Sequence, residues 1–210
     1  MVNRDDLYFS ILNGNLEKAV SVTEMAIKEG ISPTEIINQY MIKAMEEIGA
    51  RFETGKAFVP NLLLASRAMK GSLELLRPLM RNENTIGMGR IVIGTVKGDL
   101  HDIGKNLVAS MFEGCGFEVL NLGVDVSADK FIEAAKEFQA DIICMSALLT
   151  TTMLYMENVI RAVEMEGLKD HVKIMVGAPV NEDFALKIGA DAYSSNANQA
   201  VLVARRLLGK

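Results

Sequence analysis

From Arg90 onward, short apolar runs of strand length alternate with stretches of helix length, and no other feature narrows the fold as much. The runs are Arg90–Val96, Phe117–Leu120, Asp141–Met145, Val172–Val176 and Asp191–Tyr193. Between them lie Gly104–Cys115, Ala128–Phe138, Thr152–Glu166 and Glu182–Ile188, and Asn198–Leu208 closes the chain. A strand, a helix and a second strand in series join parallel neighbours through a right-handed crossover. The alternation therefore predicts an α/β fold: a flavodoxin/Rossmann-like, doubly wound, five-stranded parallel sheet.

The residues before Arg90 follow a helical period instead. Leu16, Ala19, Val20, Thr23, Ala26 and Ile27 share one face, and Gly30 can end that helix. Ser32, Pro33 and Glu35 form an N-cap, a first-turn proline and a capping-box glutamate. Ile36, Ile37, Tyr40, Met41, Ala44, Met45 and Ile48 continue as an apolar stripe. Gly55 and Pro60 punctuate before a last helix carrying Leu62, Ala65, Met69, Leu73 and Leu76. With a short opening segment, Asp6–Leu12, these make an N-terminal four-helix bundle. The polar, aperiodic segment 81–85 reads as a linker. The expected domains are a helical cap, residues 1–86, and an α/β domain, residues 87–210.

Charge and composition exclude several classes of function. The chain has 210 residues and a formal net charge of −5, and it lacks a Lys/Arg run, which argues against a nucleic-acid partner. No apolar stretch approaches the length needed to span a bilayer, so no membrane partner is expected. Asp5 and Asp6 stand where a signal peptide needs an apolar run, so a cytoplasmic protein is expected. Cys115 and Cys144 are far apart, have no metal or redox spacing, and read as small buried apolar residues.

In an open parallel sheet, ligands bind beyond the carboxyl ends of the strands where the strand order reverses. Here that point is expected between the first and third strands. The first strand is followed by Gly94-Thr95-Val96-Lys97-Gly98-Asp99-Leu100-His101-Asp102-Ile103-Gly104-Lys105-Asn106. A P-loop is excluded: five residues separate Gly98 from Gly104 where four are needed, and Lys105 is followed by Asn106 rather than Ser or Thr. A dinucleotide-binding glycine pattern is also absent. What remains is Asp99 and His101, two residues apart, on a loop with glycines at both ends. Asp99 can accept a hydrogen bond from one ring nitrogen of His101, which fixes the tautomer and leaves the other nitrogen for a metal. The competing reading is a solvated loop histidine or a cap partner for Asp102. His171 precedes the fourth strand, at the opposite end of the sheet. Neither it, a cysteine pair nor a carboxylate cluster joins His101, so a metal here must bring most of its own ligands, as a metal in a macrocycle does. After the third strand, Ser146, Thr150, Thr151 and Thr152 can cap a helix or contact a polar ligand. After the fourth, Val176-Gly177-Ala178-Pro179-Val180 is a tight turn.

These three loops resemble the cobalamin-binding module of methionine synthase and of the corrinoid proteins of anaerobic methyl transfer. The family pattern is D-x-H-x-x-G, then S-x-L, then a glycine pair. Here it appears as Asp99 to Gly104, as Ser146-Ala147-Leu148, and as Gly177 followed by Ala178. The resemblance covers nearly the whole chain, and Phe58 to Ala65 is similar to the helical cap that precedes the module. It implies a cobalamin or related corrinoid cofactor with His101 as the lower cobalt ligand. Asp99 would orient His101, and Thr152 would continue the relay. Ser146 and Thr150 would bond the displaced base and its tail, Gly104 would leave the tail room, and Gly177 would pack against it. Asp102, Ile103 and Leu148 belong to the same set of cofactor contacts. Phe58 would lie above the upper face of the corrin. Leu62, Ala65 and Ala68 are further candidates whose other reading is bundle core. One departure stands out: the second glycine of the pair is Ala178, which precedes Pro179, is biased toward extended geometry and cannot easily replace a glycine at positive φ.

The function implied by the resemblance is a corrinoid protein carrying a methyl group on cobalt between a substrate-specific methyltransferase and an acceptor methyltransferase that serves a folate or a thiol. A reductive activator is a further partner. The chain would be the corrinoid-carrying component of a methyltransferase system rather than a complete enzyme, with segment 81–85 as a hinge for the cap. Two other uses of the module compete. A cobalamin-binding subunit of a mutase calls for a companion barrel chain and lacks such a cap. A B12-sensing regulatory protein calls for a DNA-reading helix, which the acidic N-terminal half does not offer. The rival without cobalt is a flavodoxin-like phosphate binder, disfavoured by the failed P-loop spacing.

Overall fold

The computed structural model describes residues 5–80, 88–177 and 179–210. The linker expected at 81–85 and Ala178 lie outside these described residues. Packing divides the chain into two units: Met1–Gly87 with Glu113–Gly116, and Met88–Phe112 with Phe117–Lys210.

The first unit is helical: α1 (Asp5–Leu12), α2 (Leu16–Lys28), α3 (Pro33–Ile36), α4 (Ile42–Glu53) and α5 (Val59–Leu76). Side-chain caps begin two of them. Asn15 accepts from Lys18 N at the start of α2, and Ser32 accepts from Glu35 N at the start of α3. At α5, Asn61 accepts the backbone N–H of Phe58 at 2.9 Å, and Pro60 occupies the first turn, where its missing N–H costs nothing. The sequence predicts one continuous helix through Ile48. A π turn (Ile37–Met41) interrupts it, and the extra residue of that turn lets Ile36 and Met41, five apart, both reach the core. Leu62, Ala65, Ala68 and Met69 of α5 are fully buried. For Leu62, Ala65 and Ala68 the core reading therefore replaces the cofactor-contact reading.

The second unit contains β1 (Arg90–Thr95), α6 (Ile103–Gly114), β2 (Glu118–Asn121), α7 (Ala128–Phe138), β3 (Ile142–Ser146), α8 (Thr150–Met153), α9 (Tyr155–Met165), β4 (Lys173–Gly177), α10 (Glu182–Ile188), β5 (Ala192–Ser194) and α11 (Ala197–Leu207). All neighbouring strands pair in parallel, in the order β2-β1-β3-β4-β5. The order reverses between β1 and β3, as the alternation predicts. β1 pairs with β3 from Ile91↔Ile142 to Thr95↔Ser146, which sets the loops after both strands side by side. β1 and β3 are buried almost throughout, as expected of strands covered by helices on both faces.

Two expected boundaries shift for clear reasons. Asp141 and Asp191 read as strand starts, but their carboxylates accept the backbone N–H groups of Arg90 and Ile174, each at 2.7 Å, and the strands begin one residue later. The helix expected over Thr152–Glu166 divides into α8 and α9, with Leu154 between them. Both cysteines are free and buried, and burial raises the pKa of the Cys144 thiol. No described helix is long and apolar enough to cross a membrane.

Candidate functional site

The loop between β1 and α6 opens with a tight turn. Asp99 N donates to Val96 O at 3.1 Å, and Gly98 takes the left-handed conformation at φ +85°, the third-position geometry of a type II turn. That turn drives the Asp99 side chain inward until none of it is accessible. An ionised carboxylate placed there loses its hydration, a penalty of several kcal/mol unless donors replace the water.

The donors are present. Asp99 Oδ1 accepts from His101 N at 3.0 Å and lies 2.7 Å from His101 Nδ1. Asp99 Oδ2 accepts from Leu148 N at 2.7 Å, Leu149 N at 3.2 Å and Thr152 Oγ1 at 2.6 Å. Burial by itself pushes the Asp99 pKa up. The hydrogen bonds from Thr152, His101 N, Leu148 N and the His101 ring outweigh it and hold the carboxyl well below the usual range. Asp99 is thus an anion at neutral pH, and it binds the backbone after β3 to the backbone after β1. The division of the expected helix at Leu154 belongs to this arrangement: α8 is a single turn that places Thr152 over the carboxylate.

With Asp99 ionised, Nδ1 of a neutral His101 carries the proton and donates it, which leaves Nε2 as the lone-pair nitrogen. No described residue is within hydrogen-bonding distance of Nε2, and the side chain is 52% exposed. Around it, Leu100, Ile103, Leu148 and Leu149 are exposed apolar residues, with Ile103 at 87%. Single exposed leucines need no explanation, but four at one sheet edge form a surface suited to a large apolar ligand.

The remaining predicted site residues divide into groups. The structure brings Asp99, His101, Thr152 and the Leu148 backbone into one hydrogen-bonded cluster. Ser146 ends β3 and Thr150 opens α8, both at the carboxyl edge of the sheet. Gly104 is exposed, with open space where a Cβ would stand. Gly177 ends β4, where an added Cβ would meet Ser194 Oγ at 3.3 Å, so close approach of β5 accounts for a glycine there. Asp102 turns away from the cluster and accepts from Asn106 Nδ2 at 2.9 Å. Phe58 sits in the first unit, 69% exposed at the start of α5.

Sequence reasoning missed two residues on the other flank of the loop. Lys105 is buried, and its ammonium donates to Asn106 Oδ1 at 2.6 Å and Asn121 Oδ1 at 2.7 Å. Burial lowers its pKa, partly opposed by the charge of Asp102. Asp125, after β2, accepts from Gly98 N at 2.7 Å. Neither stood out in the sequence, because a lysine beside a helix start and an aspartate in a loop are ordinary.

A family model described as a B12 binding domain matches residues 89–202, and a second of the same description matches residues 4–77. The chain is 45% identical over 206 residues to the dimethylamine corrinoid protein of Methanosarcina barkeri, covering 97% of this chain and 96% of that one. It is 43% identical over 195 residues to trimethylamine corrinoid protein 2 of Methanosarcina mazei, covering 91% and 89%. Among solved structures, a cobalamin-binding protein from Desulfitobacterium hafniense DCB-2 is similar with a TM-score of 0.82 and 29% identity over 99% of both chains. The methanol:cobalamin methyltransferase complex MtaBC from Methanosarcina barkeri is similar with a TM-score of 0.83 and 26% identity, covering 98% of this chain and 79% of that one. The chain belongs to the B12-binding domain family, among its corrinoid proteins, and its cofactor is a cobalamin or related corrinoid.

Proposed function

We propose that the chain is a methyl carrier, which receives a methyl group from a substrate-specific methyltransferase and yields it to a second methyltransferase serving a folate or thiol acceptor. One observation carries the site: the Nδ1 of His101 is pinned by a buried, fivefold-bonded Asp99, and the half-exposed ring has no hydrogen-bond partner for Nε2 among the described residues.

This donor set suits a corrinoid. Among the described residues there is no group of three His, Cys, Asp or Glu able to hold a bare metal ion. A single imidazole nitrogen suffices for a metal whose other ligands come with its macrocycle. Bound there, the corrinoid supplies a cobalt centre able to accept and release a methyl group. His101 would be the lower ligand. Asp99 holds the ring orientation, and its negative charge makes Nε2 a better donor. Thr152 keeps Asp99 ionised by donating to it. Leu100, Ile103, Leu148 and Leu149 would shield the bound group from water, and the hydroxyls of Ser146 and Thr150 would hold its polar tail. The helical unit has its own B12-binding match, over residues 4–77. Relatives named for trimethylamine and dimethylamine support a methylamine as the class of methyl source.

The test is reconstitution with hydroxocobalamin. His101→Ala should convert the visible spectrum to a form without protein nitrogen on cobalt and weaken binding. Identical spectra and affinities in both proteins would overturn the ligand assignment. Methyl transfer from a methylamine through its cognate methyltransferase then separates a carrier from a B12 sensor, which would show none.

A further inference from the structure

The loop after β2 grips the histidine-bearing loop from the side opposite Thr152. Gly98 N donates to Asp125 Oδ1 at 2.7 Å, and Asp125 N donates to Asp99 O at 3.0 Å. These two bonds bracket Asp99 on its outer side, while its carboxylate is held on the inner side by Leu148, Leu149 and Thr152. The grip is continuous with the sheet: Val126 N donates to Thr95 O and Thr95 N to Gly123 O, each at 3.0 Å. Asp125 adopts φ +55°, one of two non-glycine residues with positive φ among the described residues. The other, Gln139, is the C-cap of α7, where a left-handed residue is routine. Asp125 terminates no helix. A non-glycine residue stays in that conformation where its surroundings over-determine it, and aspartate tolerates it better than most. Glycine would relieve the strain, but it could not bond Gly98.

From this geometry we infer that Asp125 is a positioning residue for the axial histidine. It acts through Gly98 and Asp99 to set the height and tilt of His101 toward cobalt. The inference rests on the reading of His101 as the cobalt ligand. The Lys105–Asn121 bond is a second tie between the same two segments, so loss of Asp125 alone leaves the fold in place.

The test uses the full chain, uniformly labelled with 15N and loaded with cobalt(II) cobalamin. In the electron paramagnetic resonance spectrum, a 15N ligand from the protein splits each line into a doublet, and the cofactor's own 14N base splits it into a triplet. Asp125→Gly should raise the ratio of histidine-off to histidine-on protein about five-fold, the factor expected for one lost hydrogen bond. Its melting temperature should stay near the wild-type value. In the unloaded protein, the Gly98 amide should lose its protection from hydrogen exchange. Asp125→Asn keeps the acceptor oxygen and should restore both properties. An unchanged doublet in Asp125→Gly overturns the inference. So does general unfolding, which would make Asp125 a folding residue, and so does failure of Asp125→Asn to restore the doublet. His101→Ala separates the two claims: a doublet that survives in that variant overturns the ligand reading itself.

Discussion

Two charges are buried on either flank of one loop, and they are satisfied in opposite ways. On the β3 side, Asp99 takes five hydrogen bonds, two from His101 and three from residues 148–152, and these hold it ionised. On the β2 side, Lys105 meets two neutral amide oxygens, and no carboxylate pairs with it among the described residues. The first is a hub: removing it leaves several donors unanswered in the interior. The second is a tie, and its partners Asn106 and Asn121 are exposed enough for water to replace it. The contrast teaches that burial alone does not mark the functional charge. What marks it is the number of hydrogen bonds committed to holding it, five for Asp99 against two for Lys105.

The strongest way to break this comparison is Asp99→Ala. Truncating a buried charge that several donors face should cost about 3–5 kcal/mol in urea denaturation of the unloaded protein. A loss no larger than that of Lys105→Met would remove the distinction. Thr152→Val deletes one charge-assisted bond and leaves the backbone donors, so a loss of about 1–3 kcal/mol is expected. Thr152→Ser should recover most of it.

The pH dependence sharpens the same contrast, because a lowered pKa stabilises the fold for an acid and penalises it for a base. The folded pKa of Asp99 lies below the ordinary 3.8, so its contribution is complete above that value and declines as pH falls through the lowered one. Asp99→Asn should therefore flatten the acid limb of a stability–pH curve. Lys105 also has a depressed pKa, but for a base this means a penalty at neutral pH that is relieved as pH rises toward 10.5. The stability of the wild type relative to Lys105→Met should accordingly improve on the alkaline side. The smallest effect is expected for Lys105→Met itself at neutral pH, within about 1 kcal/mol in either direction, because replacing a weakly paired buried charge by an apolar side chain is often neutral.

Much of the fold was legible in the sequence. The strand–helix alternation after Arg90 predicted the parallel order and its reversal between β1 and β3. Helical spacing picked out Ala19, Met41, Ala44, Ile48, Leu62, Ala65 and Met69, all of which are buried. The misses involve tertiary contacts. The break at Leu154 and the sideways reach of Asp141 and Asp191 go with contacts to segments distant in sequence, and the π turn at Ile37–Met41 brings Ile36 and Met41 together into the core. In the site, the Asp99–His101 pair was visible because both residues lie in one short loop. Thr152 was visible as one of several hydroxyls and took its relay role from the resemblance, Lys105 entered only in the failed P-loop test, and Asp125 did not enter at all.

The sequence by itself determined the element order, the end of the sheet where chemistry collects, and the one histidine placed to use it. Those properties depend on periodicity and on residues close in the chain. Only the tertiary structure decided which carboxylate is buried, which lysine is hidden and which loop grips the histidine. A buried charge survives through partners brought from elsewhere in the chain, and Asp99 finds Thr152 only after β1 and β3 have paired.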